Sequence, residues 1–360
     1  MIERSSASLL LQPSEVPPSQ ADLRVIGVFN PAVAILDDDR LMLARVAELP
    51  SESRTGWLPL PRWSTSGTTE VDWVREEDLT HVDARVVAMK TSGDLRLTSV
   101  SHLRLYRSSN ASDTSWEFVT TIHPEGPWEE YGIEDPRITK IGPTYWVTYV
   151  AVSRSGAATA LLSSTDLVTF QRHGIIFPSE NKDVVLFPEM ISGDFVALHR
   201  PNPHSHFHAP QIWLARSPDM IHWGRHECVL SGMHAWESDR VGSGTPPILC
   251  EEGWLTLHHG STRPRSAGTV GCYSAGAILL DRDHPGRVLA RSSQPIMQPT
   301  TEYELHGFVP QVVFPTAMLD RDDELQVFYG AADTCVASAR FPKRSVLDSL
   351  QRQDRSQPER

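Results

Sequence analysis

The sequence predicts an all-β protein, a five-bladed β-propeller with a funnel along its axis. Three observations carry this reading. Helical patterning is scarce along the chain. Short runs rich in Val, Ile, Leu, Tyr, Phe and Trp recur throughout, broken by Gly, Pro, Asp and Ser. A turn motif also repeats: Ser164-Thr165-Asp166-Leu167-Val168-Thr169-Phe170 resembles Ser217-Pro218-Asp219-Met220-Ile221-His222-Trp223, and a looser copy starts at Ser112-Asp113 and runs to Trp116 and Phe118. The copies are spaced by roughly 50 residues, and a strand-only repeat of that period marks a propeller blade.

In chain order, residues 1–20 read as a flexible arm containing Ser, Pro and one short apolar patch, Leu9 to Leu11, too short for an export-signal core. Residues 21–345 read as one domain. Its strands are expected around Val25–Phe29, Leu41–Val46, Tyr145–Val152, Ala160–Ser164, Phe195–His199, Ile212–Arg216, Trp254–His258, Ala275–Leu280 and Leu325–Tyr329. The stretch 25–342 holds about six repeat periods. Residues 47–95, polar at Pro50–Arg54 and Ser64–Thr69 and acidic from Glu70 to Asp78, read as an insertion, which leaves five blades. Connections of that length are either surface excursions or functional lids and partner contacts. Residues 346–360 form a polar tail.

Composition narrows the function. Of 360 residues, 40% are hydrophobic and 22% charged, ordinary values for a globular protein. The net charge of −12 repels nucleic acid and anionic lipid, so neither is an expected partner. An anionic substrate would need a local cluster of cations. No apolar run is long enough to span a bilayer. Cys228, Cys250, Cys272 and Cys335 are far apart and form no CxxC pair, which points to thiols in a reducing compartment and a cytoplasmic location.

Four segments combine strand ends, Gly or Pro turns and ionisable residues: Gly132-Ile133-Glu134-Asp135-Pro136-Arg137; Asn181 to Glu189 followed by His199-Arg200-Pro201; Trp236 to Pro247 followed by Gly253 to Gly260; and Phe308 to Ala317 followed by Tyr329 to Thr334. In the first, the proline favours an extended chain. Strand alternation then lets only one of Glu134 and Asp135 face an axial pocket. Equivalent positions in successive blades point into one funnel, so distant segments can build one site.

Phe29-Asn30-Pro31, Glu134-Asp135-Pro136-Arg137, Phe187-Pro188-Glu189, His199-Arg200-Pro201, the Gly-Thr-Pro-Pro run, His259-Gly260, Val-Val-Phe-Pro-Thr and Tyr329-Gly330-Ala331-Ala332-Asp333 occur in this order. This set resembles glycoside hydrolase family 130, the mannoside phosphorylases and β-mannosidases, over about Val25 to Phe341. The resemblance implies a five-bladed propeller with an axial active site and inverting phosphorolysis of β-mannosides to α-mannose 1-phosphate. It implies that Asp135 is the proton donor, acting through the mannose 3-hydroxyl. It implies that Asn30, Arg45 and Asp333 hold the mannose, and that Lys182, Arg200 and His259 form a cationic set for phosphate. Inorganic phosphate is then a co-substrate, and no cofactor is implied. The donor must be protonated near neutral pH, so the Asp135 pKa is expected to be raised by burial or by Glu134.

Three departures from the family pattern stand at His258 (often Tyr), Glu237 (often Asp) and Gln311 (often Asn), and they bear on acceptor and linkage. Trp236 is the candidate for stacking on sugar. His204, His206 and His208 alternate and would share one face of an extended segment, but their spacing is no familiar zinc signature. No metal site is expected. These residues read as a loop at the funnel mouth. Asn110-Ala111-Ser112 matches a glycosylation acceptor by chance.

Two rivals stand beside the phosphorylase. A β-mannosidase on the same scaffold would need a second carboxylate to activate water, and Glu189, Glu237 and Asp239 are available. A propeller that binds glycan without catalysis is the other. The arms at either end leave room for a homo-oligomer.

Overall fold

Strands buried on both faces read as continuous apolar runs rather than as alternating ones, and Leu41–Val46, apolar except at Arg45, shows why that happens here. Leu41 and Leu43 enter a core shared with Leu103, Ile133, Val147 and Leu162. Met42, Ala44 and Val46 enter another, shared with Val28, Phe328 and Val336. Each Leu, Ile, Val, Met or Phe side chain so buried contributes about 1.5–3 kcal/mol. The computed structural model describes residues 2–109, 115–202 and 207–352. The Ser112-Asp113 copy of the repeat, the Asn110 acceptor, His204 and His206 lie outside these described residues.

The described chain is all-β and built from successive antiparallel groups. The first comprises Leu23–Leu36, Asp39–Pro50, Val100–Ser109 and Glu117–Ile122. The second comprises Gly132–Ile141, Thr144–Ser153, Gly156–Ser164 and Gln171–Phe177, joined to the first through one parallel pairing of Gly132 with Ser101. The third comprises Asn181–Leu186, Phe195–Pro201, Ile212–Ser217 and Gly224–Leu230. The fourth is centred on Gly253–Ser261, Tyr273–Leu280 and Val288–Ser292, with Arg240–Ser243 on its inner side. The fifth comprises Val313–Arg321, Glu324–Ala331 and Cys335–Pro342 and is completed by Ser6–Leu11 from the N-terminus. All nine sequence-predicted strands fall inside these elements.

Five hydrophobic clusters each join one group to its neighbour. Besides the two above, Leu161 and Phe177 meet Leu186 and Ala197. Val185, Leu198 and Leu214 meet Val241, Trp254 and Ile278. Leu255 and Leu257 meet Val327 and Tyr329. The first strands touch in turn: Leu23–Leu36 packs on Gly132–Ile141, that on Asn181–Leu186, and that on Arg240–Ser243, while Val313–Arg321 contacts both Gly253–Ser261 and Leu23–Leu36.

The repeated turn has a common physical cause. Asp166 Oδ1 accepts from the backbone N–H groups of Val168 and Thr169 at 2.8 and 2.7 Å, and Asp219 Oδ1 from those of Ile221 and His222 at 3.0 and 2.8 Å. These side-chain-capped turns link the third and fourth strands of the second and third groups. Asp281 does the same in the fourth group, accepting from Asp283 and His284, a copy the sequence did not betray.

The ends differ from expectation. Ser6–Leu11, read as part of a flexible arm, is a strand, because Leu10 and Leu11 are buried and the backbone pairs with Cys335–Pro342. Arg4 anchors it further through an ion pair with buried Glu304 at 2.5 Å. Leu350–Arg352, inside the polar tail, pairs with Val288–Ser292. The insertion carries a hairpin, Trp57–Trp63 with Thr69–Arg75, and a small three-stranded sheet, Leu79–His81, Val86–Met89 and Leu95–Leu97. Arg96 ties the two together by donating to Leu60 O and Asp72. No helix among the described residues is long and apolar enough to cross a membrane.

Candidate active site

The first strands of the first three groups share one irregularity. Register shifts occur between Phe29 and Ala32, between Glu134 and Arg137, and between Lys182 and Val185. At each bulge one residue takes a left-handed backbone: Asn30 (φ 49°), Asp135 (φ 50°) and Asp183 (φ 56°). Asn and Asp tolerate this region better than other side chains, and bulges re-aim side chains beside active sites. This overturns the sequence expectation of an extended Asp135 with only one carboxylate facing inward. Arg45 Nη2 meets Glu134 Oε1 at 2.6 Å, and its Nη1 meets Asp135 Oδ1 at 3.1 Å. Asn30 Nδ2 donates to the same Asp135 oxygen at 2.8 Å. The Asn30 side chain lies directly against Gly330, where any Cβ would collide with it.

These residues line a cavity of about 180 Å³. Asn30, Arg45, Glu134, Asp135 and Asp333 form one part of its wall; Lys182, Asp183, Arg200, Arg240, His259 and Tyr273 also line it. Arg200 Nε donates to Asp183 Oδ2 at 2.6 Å and its Nη1 to Asn202 Oδ1 at 3.0 Å. His259 Nε2 stands 3.5 Å from Asp183 Oδ2. Arg240 pairs with Asp239 at 2.7 Å. The Lys182 side chain makes no hydrogen bond or ion pair among the described residues. Against a net charge of −12, the lining concentrates four guanidinium groups and one ammonium beside four carboxylates. Arg137, buried near the cavity wall, donates to the Asp135 carbonyl at 2.7 Å and to Gly244 O at 2.8 Å.

The electrostatics differ from expectation at Asp135. Burial pushes its carboxyl up, but Arg45, Arg137, the Asn30 hydrogen bond and Lys182 together outweigh burial and hold it below the usual range. The free site therefore keeps Asp135 ionised. Asp333 is the raised carboxyl: burial, with Asp135 and Glu134 nearby, exceeds the pull of Arg85 and Arg45. Asp183 lies at about 2, burial being offset by Arg200, His259 and Arg137. His259, expected in the cationic set, is held neutral at about 3 because burial and the neighbouring guanidinium groups outweigh Asp183. It offers hydrogen bonding rather than charge.

Asn30, Arg45, Asp135, Lys182, Arg200, His259 and Asp333 thus meet in one cavity. Trp236 does not. Its ring is buried against His258, with centroids 5.4 Å apart, and Nε1 donates to Ser293 O. A buried, hydrogen-bonded indole away from the cavity cannot stack on a sugar there. Two of the family departures turn out to be partners: His258 Nε2 and Glu237 Oε1 stand 2.9 Å apart, and Arg291 Nη2 bonds both Glu237 oxygens at 2.7 Å. They form a buried support under the Trp236 turn and do not line the cavity. Glu189 is exposed and also stands outside it. Asp183, Arg240 and Tyr273 went unassigned in the sequence. The first two lie in quoted motifs, whereas Tyr273 carried no signal. Arg85 comes from the insertion, which had only its length to mark it.

The Glu237 network yields a stability prediction. Burial raises the Glu237 carboxyl, but His258 and Arg291 overcome this and hold it at about 2, below its ordinary 4.5. A carboxyl lowered by folding contributes stability above its unfolded pKa, and that contribution is lost as pH falls from about 4.5 toward 2. Glu237→Gln leaves Arg291 buried without its counter-charge and should cost about 3 kcal/mol at pH 7. Urea unfolding of both proteins at pH 7 and pH 3 checks this, and the gap should narrow at the lower pH.

Comparison with known proteins places these features among relatives. A family model described as beta-1,4-mannooligosaccharide phosphorylase (glycoside hydrolase family 130) matches residues 74–352. A beta-1,2-mannobiose phosphorylase of Listeria innocua is 37% identical over 357 residues, covering 97% of this chain and 98% of the relative. A beta-1,4-mannooligosaccharide phosphorylase of Ruminococcus albus is 36% identical over 216 residues, covering 59% of this chain and 64% of the relative. The solved structure of the Listeria innocua beta-1,2-mannobiose phosphorylase with beta-1,2-mannobiose superposes with a TM-score of 0.87 at 35% identity, covering 95% of this chain and 96% of that one.

Proposed function

The chain belongs to glycoside hydrolase family 130, and on that premise we propose that it is an inverting β-mannoside phosphorylase that converts β-1,2-mannobiose and phosphate into α-mannose 1-phosphate and mannose. The observation that carries this is the cavity's charge: four guanidinium groups and one ammonium line it, and each of its four carboxylates faces an arginine. A phosphorylase needs no base, because phosphate is already a nucleophile. It needs charge-assisted hydrogen bonds to hold a dianion beside carboxylates. The β-1,2 linkage is favoured over β-1,4 by the relative that matches along nearly the whole chain.

In this reading Asn30, Arg45 and Asp333 hold the mannosyl unit. Lys182, Arg200 and His259 hold phosphate, and Arg240 and Tyr273 line the same cavity between that set and Arg85. Lys182 is the least committed cation and takes the largest share of incoming charge. Phosphate at Lys182 draws that charge away from Asp135, and sugar displaces water around it; both raise its pKa. Asp135 then takes up a proton and delivers it through the mannose 3-hydroxyl to the leaving oxygen, while phosphate attacks the anomeric carbon from the opposite face. Monohydrogen phosphate enters and mannose 1-phosphate dianion leaves, so the proton lost by phosphate ends on the released sugar.

The β-mannosidase alternative needs a water-activating carboxylate. Of its sequence candidates, Glu189 is exposed, Glu237 is locked under Arg291, and Asp239 is paired with Arg240. Asp183 lines the cavity, but at about 2 and bound to Arg200 it is a poor base. The succession of antiparallel groups, closed by the N-terminal strand, supports five blades around this axial site, with Ser6–Leu11 and Leu350–Arg352 joined to the 21–345 unit. The cysteines form no disulfide among the described residues, which supports a reducing, cytoplasmic setting.

Incubation with β-1,2- and β-1,4-linked mannobiose, with and without phosphate, tests the proposal. Mannose 1-phosphate should form only with phosphate and faster from the β-1,2 isomer. Equal release of free mannose without phosphate would establish the hydrolase instead.

A further inference from the structure

The insertion delivers one charged group into the cavity, and its placement is specific. Arg85 stands in the turn between Leu79–His81 and Val86–Met89. Asp83 fixes it from behind: its Oδ1 accepts from the Arg85 backbone N–H at 2.7 Å, and its Oδ2 from Nη2 at 2.8 Å. The remaining nitrogen, Nη1, is turned toward Asp333 Oδ2 at 3.7 Å. That distance is too long for a direct hydrogen bond, yet short enough for one substrate hydroxyl lying beside the pair to bond both groups.

The neighbours define which ligand this group meets. Asp333 is the carboxylate that Arg85 reaches from within the cavity, whereas Arg200 and His259 face Asp183. Burial, with Asp135 and Glu134 nearby, pushes the Asp333 carboxyl up. A fixed guanidinium on its open side offsets that repulsion and keeps it able to accept from a sugar hydroxyl. Arg85 cannot lose its proton and presents a rigid fork, suited to orienting hydroxyl oxygens.

We propose that Arg85, held by Asp83 on the insertion, is a substrate-positioning residue that closes the mannosyl subsite opposite Asp333, so that the insertion sets affinity for the sugar and not for phosphate. This rests on the reading of Asp333 as a mannose-binding residue. It gives the insertion a function: the small sheet carries Arg85, and Arg96 braces that sheet against the hairpin.

The test is steady-state kinetics of Arg85→Ala, Arg85→Lys and Asp83→Asn on β-1,2-mannobiose, varying sugar and phosphate separately. Loss of a charge-assisted contact to a hydroxyl should raise KM for the sugar about tenfold or more in Arg85→Ala. KM for phosphate should stay within about twofold of wild type. Arg85→Lys keeps the charge without the fork and should recover part of the loss. Asp83→Asn leaves Arg85 in place but loosens it, giving a smaller shift in the same direction, and it carries the test if Arg85→Ala fails to fold. A rise confined to KM for phosphate, or no change in KM for the sugar, overturns the proposal. If the wild type cleaves mannobiose without phosphate, the phosphorylase reading fails, yet the sugar KM comparison still decides the role of Arg85.

Discussion

Asp135→Asn is expected to lower kcat/KM for β-1,2-mannobiose by about three orders of magnitude, near the middle of the range for removing a positioned general acid. The substitution is isosteric. The amide oxygen can still accept from Asn30 Nδ2 and Arg45 Nη1, so the bonds at 2.8 and 3.1 Å survive in outline. What is lost is the ability to carry a proton to the leaving oxygen. The fold should be unaffected, because the left-handed backbone at φ 50° suits Asn as well as Asp. Kinetics together with circular dichroism checks this. A variant keeping a tenth or more of wild-type activity would remove Asp135 from the donor role.

The second large effect separates charge from structure at the proposed phosphate site. Lys182→Ala removes a cation with no bonded partner among the described residues, so nothing buried is left uncompensated. It should raise KM for phosphate by roughly 10- to 100-fold, the worth of one charge-assisted hydrogen bond, and leave the melting temperature nearly unchanged. Arg200→Ala should weaken phosphate at least as much and also destabilise the protein by about 3–5 kcal/mol. Arg200 is the 2.6 Å partner of Asp183, which is nearly inaccessible. Thermal melts beside phosphate titrations distinguish the two. If Lys182→Ala leaves phosphate saturation intact, the cationic-set assignment fails.

Much of this was legible in the sequence, for identifiable reasons. The strands were legible because a strand buried on both faces leaves an unbroken apolar run, as in Leu41–Ala44. The Ser-x-Asp turns were legible because the capping side chain is set by local chemistry. Asn30, Arg45, Asp135, Lys182, Arg200, His259 and Asp333 were legible through the family resemblance, whereas Arg85, Asp183, Arg240 and Tyr273 were not. What escaped was the backbone at Asp135, where a bulge defeats simple alternation and brings Glu134 and Asp135 onto one arginine. The lowered carboxyl at Asp135 also escaped, because it depends on cations from three separate strands. Trp236 was misread because its ring is covered by His258, and that pairing of two family departures exists only after folding. Ser6–Leu11 was missed because its pairing partner lies at the far end of the chain.

The central claim is that phosphate, not water, attacks the mannosyl carbon. Phosphorus and proton NMR of one reaction, β-1,2-mannobiose with inorganic phosphate and catalytic enzyme, tests it most directly. The account predicts that each bond broken consumes one inorganic phosphate and yields one mannose 1-phosphate, with the α anomer as the first species formed. Bond cleavage with the inorganic phosphate signal unchanged, and free mannose as the sole product, would contradict it.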